Sequence, residues 1–157
     1  MNSPSILLIG KVGQVGWELR RTAAPIGTIT CVDYPEIDLT NPDSIRMWVR
    51  ETSPSVIINA AAYTAVDKAE TEPDRCNQIN GTAPGILAEE AKKLGALLVH
   101  YSTDYVDDGS NTTPYIETDT PNPLSAYGRS KLLGDQGVIV AGGRHLIFLL
   151  CWVYGAR

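Results

Sequence analysis

At 157 residues the chain has room for one domain with a substantial core. A net charge of −5 argues against a nucleic-acid partner, which needs a basic face for phosphates, and no apolar run approaches the roughly 20 residues that span a bilayer. Three cysteines, Cys31, Cys76 and Cys151, form no close-spaced pair, which suits reduced thiols and not a disulfide frame or a zinc site.

The opening stretch, MNSPSILLIG, lacks the basic region and small-residue cleavage site of a secretory leader, so a cytoplasmic location is expected. SILLIG (5–10) reads as the first buried strand, followed by a helix over 14–24. TITCVD (28–33) reads as the second strand. Asn41-Pro42 then offers an N-cap and a proline at the first helical position for a helix over 42–52. VIINA (56–60) is the third strand, 75–94 a long helix, and ALLVHYS (96–102) the fourth strand. The polar stretch 107–123 is a long loop, and a helix over 124–141 follows it, weakened by Gly134 and Gly137. HLIFLLC (145–151) is the fifth strand. Strand–helix alternation at this spacing predicts an α/β fold, a Rossmann-like doubly wound parallel sheet. The chain ends soon after a greasy strand. It therefore reads as a truncated protein or one domain of a longer one, its sheet stopping after about the fifth strand.

IGKVGQVGWEL follows the first strand and opens the first helix, spacing Gly10, Gly13 and Gly16 as G-x-x-G-x-x-G. Glycine lets such a turn bend sharply and brings the backbone close to a pyrophosphate at the positive helix N-terminus. Gly10, Lys11, Gly13, Gln14, Val15 and Gly16 are accordingly candidate cofactor-binding residues. Asp33, about 20 residues on, can accept from ribose hydroxyls, which leans toward NAD, although a plain turn aspartate gives the same pattern. Lys11, or Arg20 and Arg21, could instead meet a 2′-phosphate. Asp38 and Leu39 are placed to hold an adenine edge and face, or simply to lead into the next helix. Ser102 and Thr103 end the fourth strand, where open α/β sheets line their ligand crevice. Tyr127 and Lys131 lie one helical turn apart on one face, a spacing any helix can offer by chance.

A glycine turn, a strand-end Ser/Thr and a Tyr-x-x-x-Lys, in that order, resemble the extended short-chain dehydrogenase/reductase family. The strings NAAAYTAVDKAE, HYSTDYV, PYIETDTPNPLSAYGRSKLLG and WVYG extend the resemblance over essentially the whole chain. They are similar to the branch of that family that reduces dTDP-linked 4-keto sugars. The resemblance implies NADPH or NADH as cofactor and reduction of the C4 keto group of dTDP-4-dehydro-6-deoxy-L-mannose to dTDP-L-rhamnose, with 1–157 an incomplete NAD(P)-binding Rossmann domain and the C-terminal substrate domain absent. It makes Thr103, Tyr127 and Lys131 catalytic, with Tyr127 the proton donor and its phenol pKa lowered by the Lys131 ammonium. Tyr127 and Lys131 would also touch the cofactor. Ala61, Ala62 and Tyr63, just after the third strand, would pass along it, and Asn80 would support the site or merely cap a helix. Asp104, Tyr105 and Trp152 would line the sugar-nucleotide pocket, Trp152 being equally suited to a core. Asp67 and Glu70 belong to the same diagnostic string, and His100 and His145 carry no motif and read as structural.

No metal site is expected here; Mg2+ belongs only to the longer family members, which also allow a homodimer. Asp107 stands where the family has phenylalanine, and Leu149, Leu150 and Cys151 replace its usual arginine and small hydroxyl residues. These departures, with the chain's length, predict weak or no turnover by this chain alone. The alternative readings are a non-catalytic nucleotide-binding regulator of the same fold, or a sibling sugar-nucleotide reductase or epimerase.

Overall fold

The computed structural model describes residues 3–155. Met1 and Asn2, part of the stretch read for a leader, and Ala156 and Arg157 lie outside the described residues.

Five parallel strands, β1 (Ser5–Ile9), β2 (Thr28–Val32), β3 (Val56–Asn59), β4 (Leu97–Thr103) and β5 (Arg144–Leu150), stand in the order β2-β1-β3-β4-β5. The order reverses between β1 and β3, and in such sheets the ligand crevice opens beyond the strand ends at that reversal. The main helices are α1 (Gln14–Thr22), α2 (Pro42–Thr52), α5 (Ala83–Leu94) and α6 (Ala126–Ala141). Two single turns, α3 (Val66–Ala69) and α4 (Pro73–Cys76), precede a π-helical stretch at Asn77–Thr82, so the helix expected over 75–94 is three segments.

The two sheet faces are covered unequally. On one face Leu7, Ile9, Ile57 and Leu98 pack with Ile45 and Val49 of α2, Leu87 of α5 and Val138 of α6, forming the main core. On the other, Ile6, Leu8 and Ile58 form a smaller cluster with Leu19 of α1 beside it. Residues beside each other in a parallel sheet need both faces apolar, which is why these strands read as unbroken hydrophobic runs.

Local chemistry sets the ends. Asn41 caps α2 by accepting from the Asp43 and Ser44 amides, as the Asn-Pro pair predicts. Ser125 caps α6 by accepting from the Gly128 amide at 3.0 Å. Gly134 does not interrupt α6, because the glycine is where α6 meets the π-helical stretch: a Cβ there would overlap the Asn80 carbonyl. No helix of the described residues is long and apolar enough to cross a membrane.

Candidate active site

The glycine turn closes beneath β2 and β3. Gly10 has φ +92°, donates its N–H to the Val32 carbonyl at 2.9 Å, and would drive a Cβ to 2.6 Å from the Ala61 amide nitrogen. The chain then enters α1 at Gly13 without a side-chain cap and without an acidic residue in the first turn, so the positive end of the helix is left open.

A cleft of about 450 Å³ lies beside this turn, lined by Asp33, Asp38, Leu39, Ala61, Ala62 and Arg75 among others. Asp33 accepts from the Val12 amide at 3.0 Å and the Tyr34 amide at 2.8 Å, bracing the glycine turn against the end of β2. Lys11 pairs with Glu36 at 2.6 Å and lines neither this cleft nor the next. Glu36 is held below the usual carboxylate range by that bond and by the Asp33 amide. Asp38 accepts from the Thr40 hydroxyl at 2.7 Å and its amide at 2.9 Å, which hold it below the usual range.

A second cleft, of about 550 Å³, shares Ala62 with the first and gathers residues from distant parts of the chain. Gln14 and Val15 come from the start of α1, Thr103 to Tyr105 from the end of β4, Tyr127 and Lys131 from α6, and Trp152 from beyond β5. Trp152 is 82 % exposed, so it is not a core residue. The Thr103 hydroxyl donates to Asp104 at 3.1 Å and accepts from the Tyr105 amide at 3.2 Å. Tyr105 packs edge-on against the Tyr127 ring, with centroids 5.5 Å apart.

Protonation at this end is set by burial. Tyr127 is raised above the ordinary phenol value because it is desolvated, and a hydrogen bond with Thr103 partly opposes the rise. That corrects the expectation that the Lys131 ammonium lowers it: withdrawal from water dominates, and Asp104, Cys76 and Tyr105 push the same way. Lys131, 1 % exposed, is itself lowered to about 8 by burial, with Asp135 opposing the fall. Its ammonium donates to the Tyr101 carbonyl at 2.7 Å and lies 3.5 Å from His100 Nε2. His100 is held down to about 3 by burial and then by the Lys131 charge, so its ring is neutral.

Other positions take different roles from those expected. Tyr63 lines neither cleft; its hydroxyl donates to Glu72 at 2.8 Å. Its backbone is clamped instead: the Asn80 carboxamide accepts from the Tyr63 amide at 2.8 Å and donates to its carbonyl at 2.9 Å. Asn80 is buried within the π-helical stretch and is no cap. Glu70 accepts from the Ala126 amide at 2.7 Å, tying down the start of the helix that carries Tyr127. The contributions of His100 and Asp135 escaped the sequence reading. The four-residue step from Lys131 to Asp135, which repeats the step from Tyr127 to Lys131, is the signal that could have found the second.

The departures sit at the rim. Asp107 is half-buried and raised, first by burial and then by Asp119, Asp108 and Asp104. Leu149 is 55 % exposed, Cys151 is exposed, and Leu150 and Cys151 line the second cleft. All three cysteines are free thiols, and among the described residues no cluster of side chains could hold a metal ion.

The reversed strand order, the glycine turn and the cleft at the strand ends define a doubly wound α/β domain of the Rossmann class. Residues 4–157 match the model of the RmlD substrate binding domain family, and the chain belongs to that family. It is 49 % identical to the dTDP-4-dehydrorhamnose reductase of Burkholderia thailandensis over 97 % of this chain and 51 % of that protein. It is 45 % identical to the enzyme of the same name from Escherichia coli, over 98 % of this chain and 52 % of that one. The crystal structure of dTDP-4-dehydrorhamnose reductase from Bacillus anthracis in complex with NADP superposes with a TM-score of 0.95 at 35 % identity, over 100 % of this chain and 56 % of that one. The chain thus spans about half the length of the curated relatives it matches.

Proposed function

We propose that this chain forms the cofactor-binding and proton-donating part of an NAD(P)H-dependent sugar-nucleotide reductase. The substrate is dTDP-4-dehydro-6-deoxy-L-mannose, reduced at C4 to dTDP-L-rhamnose, in the cytoplasm. The observation that carries the reading is the convergence of Tyr127, Lys131 and Thr103 with the uncapped start of α1 on one cleft.

The residues present fit a nicotinamide dinucleotide. The open N-terminal turn of α1 at Gln14 and Val15 would hold the diphosphate, Asp33 and Asp38 the adenosine end, and Lys131 the nicotinamide ribose. The reduced cofactor supplies hydride when bound. Tyr127, kept protonated by burial, holds the proton that the C4 oxygen takes up as the carbonyl becomes a hydroxyl. The Thr103 hydroxyl fixes that oxygen, and the edge-on ring of Tyr105 fixes the phenol. Asp104 and Trp152 stand on the sugar side of the cleft.

The test pairs calorimetric titration of NADPH and NADH with turnover of the dTDP-4-keto sugar. In a full-length protein carrying this segment, Tyr127→Phe is expected to remove turnover and keep cofactor affinity. A variant that retains turnover, or a wild-type chain that binds neither nucleotide, overturns the reading.

A further inference from the structure

Lys131 is buried with a set of groups that the proton transfer does not use. Asp135 lies one turn further along the same face of α6, 7 % exposed. Its Oδ2 accepts from the Ser102 hydroxyl across the helix–sheet interface. Its Oδ1 has no hydrogen-bond partner and lies 3.6 Å from His100 Nε2. The Asn59 amide donates to His100 Nδ1 at 3.2 Å, which leaves the proton of the neutral ring on Nε2, facing Asp135.

An ammonium this deeply buried costs several kcal/mol unless a counter-charge and hydrogen bonds accompany it. The groups around Lys131 are His100 and Tyr101 on β4, Cys76 on α4, and Tyr127 and Asp135 on α6. His100 is neutral, Cys76 is a thiol donating to Ser130 at 3.1 Å, and Tyr127 is a phenol. Asp135 is the first group supporting the Lys131 charge and Cys76 the second. No direct ion pair joins Lys131 and Asp135, but Lys131 Nζ and Asp135 Oδ1 flank the same His100 Nε2 at 3.5 and 3.6 Å. Lys131 in turn opposes the rise that burial imposes on the Asp135 carboxyl.

We propose that Asp135 is a positioning residue: held by Ser102 and facing His100 Nε2, it is the buried counter-ion that keeps Lys131 an ammonium at the Tyr101 carbonyl facing the cleft. The electrostatic part stands on the chain alone. The consequence for cofactor binding rests on the function proposed above.

The test is NMR titration of the cofactor-free chain carrying 13C-labelled lysine and aspartate, followed by NADPH calorimetry. In the wild type, Lys131 is expected to titrate near 8, with Asp135 ionised at pH 7 and its carboxyl signal moving at the same midpoint. Asp135→Asn, which keeps the shape and removes the charge, is expected to lower the Lys131 midpoint by about one unit or more. NADPH affinity should then fall at pH 8 and not at pH 6, and Asp135→Glu should restore both. A Lys131 midpoint indifferent to Asp135→Asn overturns the proposal, as does a neutral Asp135 at pH 7 in the wild type; the second measurement needs no variant to fold. Failure of the wild-type chain to bind NADPH would sink the proposed function and leave the Lys131 titration standing as a separate result.

Discussion

The two clefts meet at Ala62 as the ends of one groove, and they solve different problems with similar residues. Around the glycine turn, Asp33, Glu36 and Asp38 each accept short hydrogen bonds from nearby amides or hydroxyls, and the Lys11–Glu36 pair is partly open to water. Charges there are stabilised by local turn geometry, and the end is built to hold a shape. Around Tyr127 the groups are withdrawn from water, and burial is the first cause moving Tyr127, Lys131, His100 and Asp135 toward their neutral forms. The comparison teaches that the two ends differ in solvation more than in residue type. A carboxylate near Gly10 braces a loop, while Asp135 near Lys131 is buried against β4.

The contrast can be broken first at the Tyr127 end. In a full-length protein carrying this segment, Tyr127→Phe should cost about 10²- to 10⁴-fold in turnover with dTDP-4-keto sugar, read by NADPH oxidation, while calorimetric affinity for NADPH stays within about threefold. Lys131→Met removes the bond to the buried Tyr101 carbonyl and the charge that supports the Asp135 carboxylate, and should lower unfolding stability by about 1–3 kcal/mol in urea. Gly134→Ala pushes α6 away from the Asn80 carbonyl and should cost about 1–3 kcal/mol by the same measurement, with a weaker Tyr63 clamp.

A smaller effect sharpens the solvation argument. His100 is held down to about 3 in the folded chain against 6.5 for the free residue, so between those values the unfolded chain binds the extra proton. Stability from this site is therefore present above pH 6.5 and lost as pH falls toward 3, with a slope of up to about 1.4 kcal/mol per pH unit. The urea midpoint of His100→Gln, compared with wild type at pH 6.5 and pH 4.5, should lack that component. At the other end, Glu36→Gln removes one partner of a partly exposed ion pair and should leave the thermal midpoint unchanged within error.

Periodicity and turn chemistry account for how much could be read in advance. The apolar runs at 5–10 and 96–102 became β1 and β4, and Asn41-Pro42 started α2 at the expected residue. What stayed hidden depends on contacts between distant parts of the chain. The break in 75–94 reflects the reach of Asn80 to Tyr63, 17 positions earlier, which the π-helical stretch accommodates. Gly134 looked like a weakness in α6 until the Asn80 carbonyl was seen against it. The spacing of Tyr127 and Lys131 gave their shared face, but the proton affinity of Tyr127 comes from its burial, which no spacing encodes. His100 read as an inert strand residue because its partners, Asn59 and Asp135, lie 41 positions before it on β3 and on α6.

Amide chemical shifts followed during NADPH titration test the single-groove claim most directly. The account predicts saturable one-to-one binding, with shifts concentrated in the glycine turn, at Asp33 to Leu39, at Ala61 and Ala62, and around Thr103, Tyr127 and Lys131. Saturable binding whose shifts spare either end of the groove, or no saturable binding, would contradict it.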